Sequence, residues 1–118
     1  MNKVYKDFTF EAAHFLPHVP PSHKCRHMHG HSYWVRVTVR GIVGPETGML
    51  IDYSDISKVF EAKVFDVLDH KMLNDIKGLE NSTSELLAMW IWHRMSEFPL
   101  FSVEVKETPT AGAIYEGE

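Results

Sequence analysis

HGHSYWVRVTVR, residues 29–40, alternates without a break: His29, His31, Tyr33, Val35, Val37 and Val39 fall on one side, and Ser32, Trp34, Arg36, Thr38 and Arg40 on the other. A period of two is the pleat of a strand that turns one face to a core. The apolar side opens with two histidines two positions apart, so both imidazoles leave the strand in the same direction, as a chelating pair must.

Upstream, Phe8, Phe10, Ala12 and His14 alternate with Asp7, Thr9 and Glu11, which predicts a second strand with His14 on its core face. Residues 15–28, FLPHVPPSHKCRHM, hold three prolines and no period. A loop of that length inside a compact domain is usually functional or disordered, and its thiol argues for function. Downstream, the turn formers of GIVGPETG, residues 41–48, predict a hairpin to a short strand MLID, residues 49–52.

From Ser54 to Leu68, Ile56, Val59, Phe60, Val64, Val67 and Leu68 recur at helical spacing, with Asp52 or Ser54 available as the cap. A second helix opens at Ser82-Thr83-Ser84-Glu85, where Ser82 and Glu85 have capping-box spacing, and it is expected to bury Leu86, Leu87, Trp90, Ile91 and Met95 before Pro99. The Trp90 and Trp92 pair reads as helix packing. Phe101, Val103, Val105 and Glu107 then share one strand face against Ser102, Glu104 and Lys106, and AGAIY, residues 111–115, closes the sheet. The expected fold class is α+β: an antiparallel four-stranded sheet with two helices on one face. Its open strand edges predict self-association.

The 118 residues suit a single domain, 1–118. An apolar share of 44% and a charged share of 24% are those of a globular protein, and a net charge of -4 gives no reason to expect nucleic acid or an anionic membrane as partner. The start, MNKVYKDFTF, is not a signal peptide, and no stretch has the length of a membrane span. The lone Cys25 excludes an internal disulfide and fits a reducing compartment, so a cytoplasmic location is expected.

One inward histidine is commonly just a hydrogen-bonded core residue, but two side by side are costly to bury unless something coordinates them. With His14 as the third, a metal site is expected. Three imidazoles with an open position suggest catalytic Zn2+, although iron, nickel and copper also accept imidazole. His18, His23 and His27 lie in the loop without periodicity and read as solvated or supporting. Cys25 sits between Lys24 and Arg26, whose charges favour a thiolate, four residues before the pair. Asp69 and His70 read equally well as a helix end with a favourable cation or as functional groups. Glu107, a carboxylate on an apolar face with no basic residue beside it on that face, calls for a ligand offering hydrogen-bond donors.

The motifs FEAAH, CRHMHGH, LDHKMLND, ENSTSE and VKETPTAG, in that order, resemble the 6-pyruvoyltetrahydropterin synthase family from about Phe8 to Tyr115. The three-residue gap between Cys25 and His29 looks like the family's bacterial queuosine branch, 6-carboxytetrahydropterin synthase, a lyase. The resemblance implies zinc on His14, His29 and His31, Cys25 as proton acceptor, His70 with Asp69 as the relay that tunes it, and Glu107 with Thr108 against the pterin. It also implies the tunnelling fold, in which subunits, commonly six, join their sheets into a barrel with sites between them. The implied substrate is 7,8-dihydroneopterin triphosphate, with 6-carboxy-5,6,7,8-tetrahydropterin, acetaldehyde and triphosphate as products and Lys24 and Arg26 placed to receive the triphosphate. Arg26, His27, Met28, Pro109 and Ala113 depart from the residues associated with this family. The alternatives are the pyruvoyl-forming synthase, a noncatalytic metal- or pterin-binding module, and a zinc hydrolase, for which there is no HExxH and only Glu11 as a nearby acid.

Overall fold

The computed structural model describes residues 1–118. Two 13-residue strands, β1 (Asn2–His14) and β2 (His29–Gly41), pair antiparallel along their whole length, from Asn2 opposite Gly41 to His14 opposite His29. The loop between them thus leaves and re-enters the sheet at the histidines. On its other side β2 pairs with β4 (Leu100–Thr108), which pairs in turn with β5 (Ala111–Tyr115).

The expected count of four strands is corrected to five, in the order β3-β1-β2-β4-β5. The extra strand β3 is only Lys71–Met72, parallel to Ala12 and Ala13 of β1. Two residues are too few to show a period. Met49–Asp52, expected as a hairpin strand, is not one. The physical reason is that β2 lies between β1 and β4 and has no free edge to offer.

The first helix begins at Tyr53, with Asp52 as cap: its Oδ1 accepts from the Ser54 backbone N–H at 2.9 Å. It runs as α1 (Tyr53–Phe60), a π-helical stretch Glu61–Phe65 and a last turn α2 (Asp66–Leu68). The wider π turn falls where Phe60 stacks on Phe8 of β1 at 3.8 Å. The second long helix, α3 (Ser84–Arg94), is capped by Thr83, not by the expected Ser82: the Thr83 hydroxyl accepts from the Leu86 N–H at 3.2 Å. Ser82 is fully buried and engaged elsewhere. Replacing Thr83 with alanine is expected to cost about 1 kcal/mol of stability, read as a lower urea midpoint at unchanged slope.

Val35, Val37, Val39, Val103 and Val105 of the sheet meet Ile56, Phe60, Val64, Leu68, Leu87, Ala88 and Ile91 of the helices in one core. Leu86, expected there, is 39% exposed. Trp92 packs edge-on against Tyr115 at 5.2 Å, as helix packing requires. Phe101 is also corrected. A bulge opposite Thr38 and Val39 breaks the alternation of β4, so Leu100 joins the core and Phe101 turns to the other face under Lys3, whose Nζ lies 3.6 Å from its ring centroid.

Candidate active site

The register that pairs His14 with His29 and Ala12 with His31 brings three imidazoles together at one end of the sheet. Their ring centroids stand 4.6, 4.8 and 5.2 Å apart, and their ligand-capable atoms all lie within 4.8 Å of one another. His14 is fully buried, with Nδ1 at 2.9 Å from the Ser82 carbonyl and 3.1 Å from the Ser82 hydroxyl. A carbonyl only accepts, so a hydrogen bond to it puts the proton on Nδ1 and leaves a lone pair on Nε2. His29 repeats the arrangement, its Nδ1 at 2.7 Å from the His27 carbonyl. This is the supporting contact that orients a metal-binding imidazole.

The Nε2 atoms of His14 and His31 are buried and have no hydrogen-bond partner. Burial lowers the pKa of both rings, against the opposing pull of Glu107, so both are neutral and able to coordinate at neutral pH. Two orphaned lone pairs converging with a third imidazole fit a cation. The residues present can therefore hold a metal.

Glu107 approaches the same point. Its Oε1 is 4.0 Å from His14 Nε2 and its Oε2 3.7 Å from His31 Nε2, with the side chain 26% exposed. The β4–β5 ladder steps from Lys106–Gly112 to Thr108–Ala111, and Glu107 is the residue skipped. That bulge re-aims its carboxylate toward the imidazoles. Thr108 follows on the exposed side, lining an open cavity of about 630 Å³ with His31, Tyr33 and Glu107.

Cys25 is half-buried in a short 3-10 turn, Lys24–Arg26. Its N–H donates to His23 Nδ1 at 3.0 Å, and its carbonyl accepts from the Leu16 N–H at 2.7 Å. The second bond ties the cysteine to the chain two residues beyond His14, although its thiol is not among the groups that converge with the imidazoles. Asp69 and His70 follow α2. Asp69 Oδ1 accepts from the Glu11 N–H at 2.9 Å, while Oδ2 lies 2.7 Å from His70 Nδ1, and these bonds hold its carboxyl below the usual range. His70 takes a left-handed backbone, φ 60°, donates its own N–H to the Glu11 carbonyl, and leaves its ring 77% exposed. The dyad lines an open cavity of about 530 Å³ together with His31, Glu11 and Ser32.

The profile of the 6-pyruvoyl tetrahydropterin synthase family matches residues 3–118. The chain belongs to this family. A Synechocystis member named 6-carboxy-5,6,7,8-tetrahydropterin synthase is 46% identical over 119 residues, covering 95% of this chain and 91% of that protein. The Homo sapiens 6-pyruvoyl tetrahydrobiopterin synthase is 37% identical over 97 residues, covering 76% and 67%. The structure of the Caenorhabditis elegans 6-pyruvoyl tetrahydropterin synthase superposes with a TM-score of 0.90 at 28% identity, over 99% of this chain and 96% of that one.

Three residues at this family site escaped the reading of the sequence. Ser82 had an ordinary explanation as a cap, and its contact with His14 spans 68 positions. Asn74 clamps the chain beyond His14: its Oδ1 accepts from the Phe15 N–H at 3.0 Å, and its Nδ2 donates to the Phe15 and Glu80 carbonyls at 2.9 and 3.1 Å. Both lie inside the family-like motifs ENSTSE and LDHKMLND, the one signal that pointed to them. Tyr33 looked like core, and its hydroxyl is the third buried side-chain atom without a partner.

Proposed function

We propose that this synthase-family chain is a zinc-dependent lyase, 6-carboxy-5,6,7,8-tetrahydropterin synthase. It converts 7,8-dihydroneopterin triphosphate into that product with release of acetaldehyde and triphosphate, as a cytoplasmic step toward queuosine. The observation that carries the reading is the pair of orphaned imidazole nitrogens facing Glu107 at a three-histidine cluster. The carboxy branch is supported over the pyruvoyl branch by the higher identity and fuller coverage of the Synechocystis relative.

His14, His29 and His31 hold the ion, and zinc, when bound, supplies Lewis acidity to the substrate's side-chain oxygens. Ser82 and the His27 carbonyl fix the ring orientations. Glu107 accepts from the ring amide and exocyclic amine of the pterin, a charge-assisted bidentate contact, with Thr108 beside it. Cys25 takes and returns protons on the side-chain carbons. His70, held by Asp69, sets the charge of the thiol. Lys24 and Arg26 flank the cysteine, where they can receive the triphosphate as it leaves.

Self-association belongs to this reading, as a homo-oligomer and, after the family's habit, a hexamer. Its support is local: the Asp69–His70 dyad is largely open, and the chain is elongated, 57 × 24 × 24 Å, with a radius of gyration of 15.3 Å where a compact chain of this length has about 13.5 Å. No helix is long and apolar enough to cross a membrane.

Glu107→Gln tests the anchor. The amide presents donors to a ring edge that also donates, so pterin affinity is expected to fall by about 1.5–3 kcal/mol while the melting temperature stays close to wild type. Equal affinity of the two proteins for neopterin, measured by fluorescence titration, would remove Glu107 from ring recognition.

A further inference from the structure

Only three buried side-chain polar atoms lack a hydrogen-bond partner: Nε2 of His14, Nε2 of His31 and the hydroxyl of Tyr33. They occur together. The Tyr33 ring meets His14 edge-on at 5.9 Å and His31 at 5.5 Å, and Tyr33 lines the cavity that also holds His31, Glu107 and Thr108. Its packing needs only the ring, which stacks on Phe10 at 5.0 Å. Phenylalanine would fill that space without the hydroxyl. A buried hydroxyl left unpaired costs about 1–3 kcal/mol, so its presence points to a partner that arrives with a ligand.

The orphans are of two chemical kinds. The imidazole nitrogens offer lone pairs and call for a cation. The phenol holds its proton, the more firmly because burial, and secondarily Glu107, raise its pKa, so it calls for an acceptor. A cation alone satisfies two of the three. A cation together with an oxygen-bearing ligand satisfies all of them, while the carboxylate of Glu107 remains for donors on the ligand's ring.

Building on the proposed pterin chemistry, we propose that Tyr33 is a ligand-binding residue. Its hydroxyl donates to a hydroxyl oxygen of the substrate side chain, so that the site favours a pterin with a hydroxylated side chain over the bare ring. This gives Tyr33 a specificity role separate from holding the ion or the ring.

The test is Tyr33→Phe in the zinc-loaded protein, with neopterin and unsubstituted pterin as probes in fluorescence titrations and melting curves of the metal-free proteins alongside. The neopterin Kd is expected to rise about tenfold, the value for a lost hydrogen bond, with the pterin Kd unchanged. The metal-free variant should melt at or above wild type, because it sheds an unpaired group. Unchanged neopterin affinity overturns the proposal; so does an equal loss for both probes, which would place the hydroxyl on the ring. A lower melting temperature in the metal-free variant also overturns it, since the hydroxyl would then be paired inside the protein. Failure of wild type to bind either probe would instead strike the pterin reading itself and take this inference with it.

Discussion

Cys25→Ala is expected to keep its zinc and its melting temperature close to wild type and to lose turnover by about 10²–10⁴-fold, the span of a removed general acid–base group. The expectation follows from where the cysteine sits. It lies in a polar turn outside the hydrophobic core, so alanine leaves no cavity there. Both hydrogen bonds that place it, to His23 and from Leu16, use its backbone and survive the substitution. The thiol can therefore be removed without moving the loop or the three imidazoles. Steady-state turnover with metal analysis of the same sample separates the two effects, and unchanged turnover would take the thiol out of the mechanism.

His31→Ala is expected to lose bound zinc, lowering affinity by more than the 10–100-fold typical of a lost supporting contact, because it removes a ligand itself. Two imidazoles would remain, and Glu107 would lose one of the two nitrogens it now faces. His31 is only half-buried at the sheet's end, so the loss should not unfold the chain. Metal per chain by elemental analysis after dialysis is the readout. Full stoichiometric zinc in the variant would reject the three-histidine site.

Much of the fold was legible because long strands advertise themselves. The alternation of β1 and β2 placed His14, His29 and His31 on one face, and the register then brought them together. What the sequence hid was non-local or too short to carry a period. β3 exists because Asp69 and His70 bond the backbone of Glu11, a contact made only once α2 has returned the chain to β1. The strand expected at Met49–Asp52 had good local turn chemistry but no open edge to join. Phe101 obeyed its alternation until a bulge reversed it, and Glu107 reached the imidazoles through another bulge, which simple alternation does not describe. Ser82 shows the limit most plainly: its spacing to Glu85 had a sufficient local explanation, and the actual one lay across the molecule at His14.

The most direct measurement is mass analysis of pterin and aldehyde products after the zinc-loaded protein is incubated with 7,8-dihydroneopterin triphosphate. The account predicts 6-carboxy-5,6,7,8-tetrahydropterin, with acetaldehyde and triphosphate released in equal amounts. Recovery of the substrate intact from fully metal-loaded protein would contradict it.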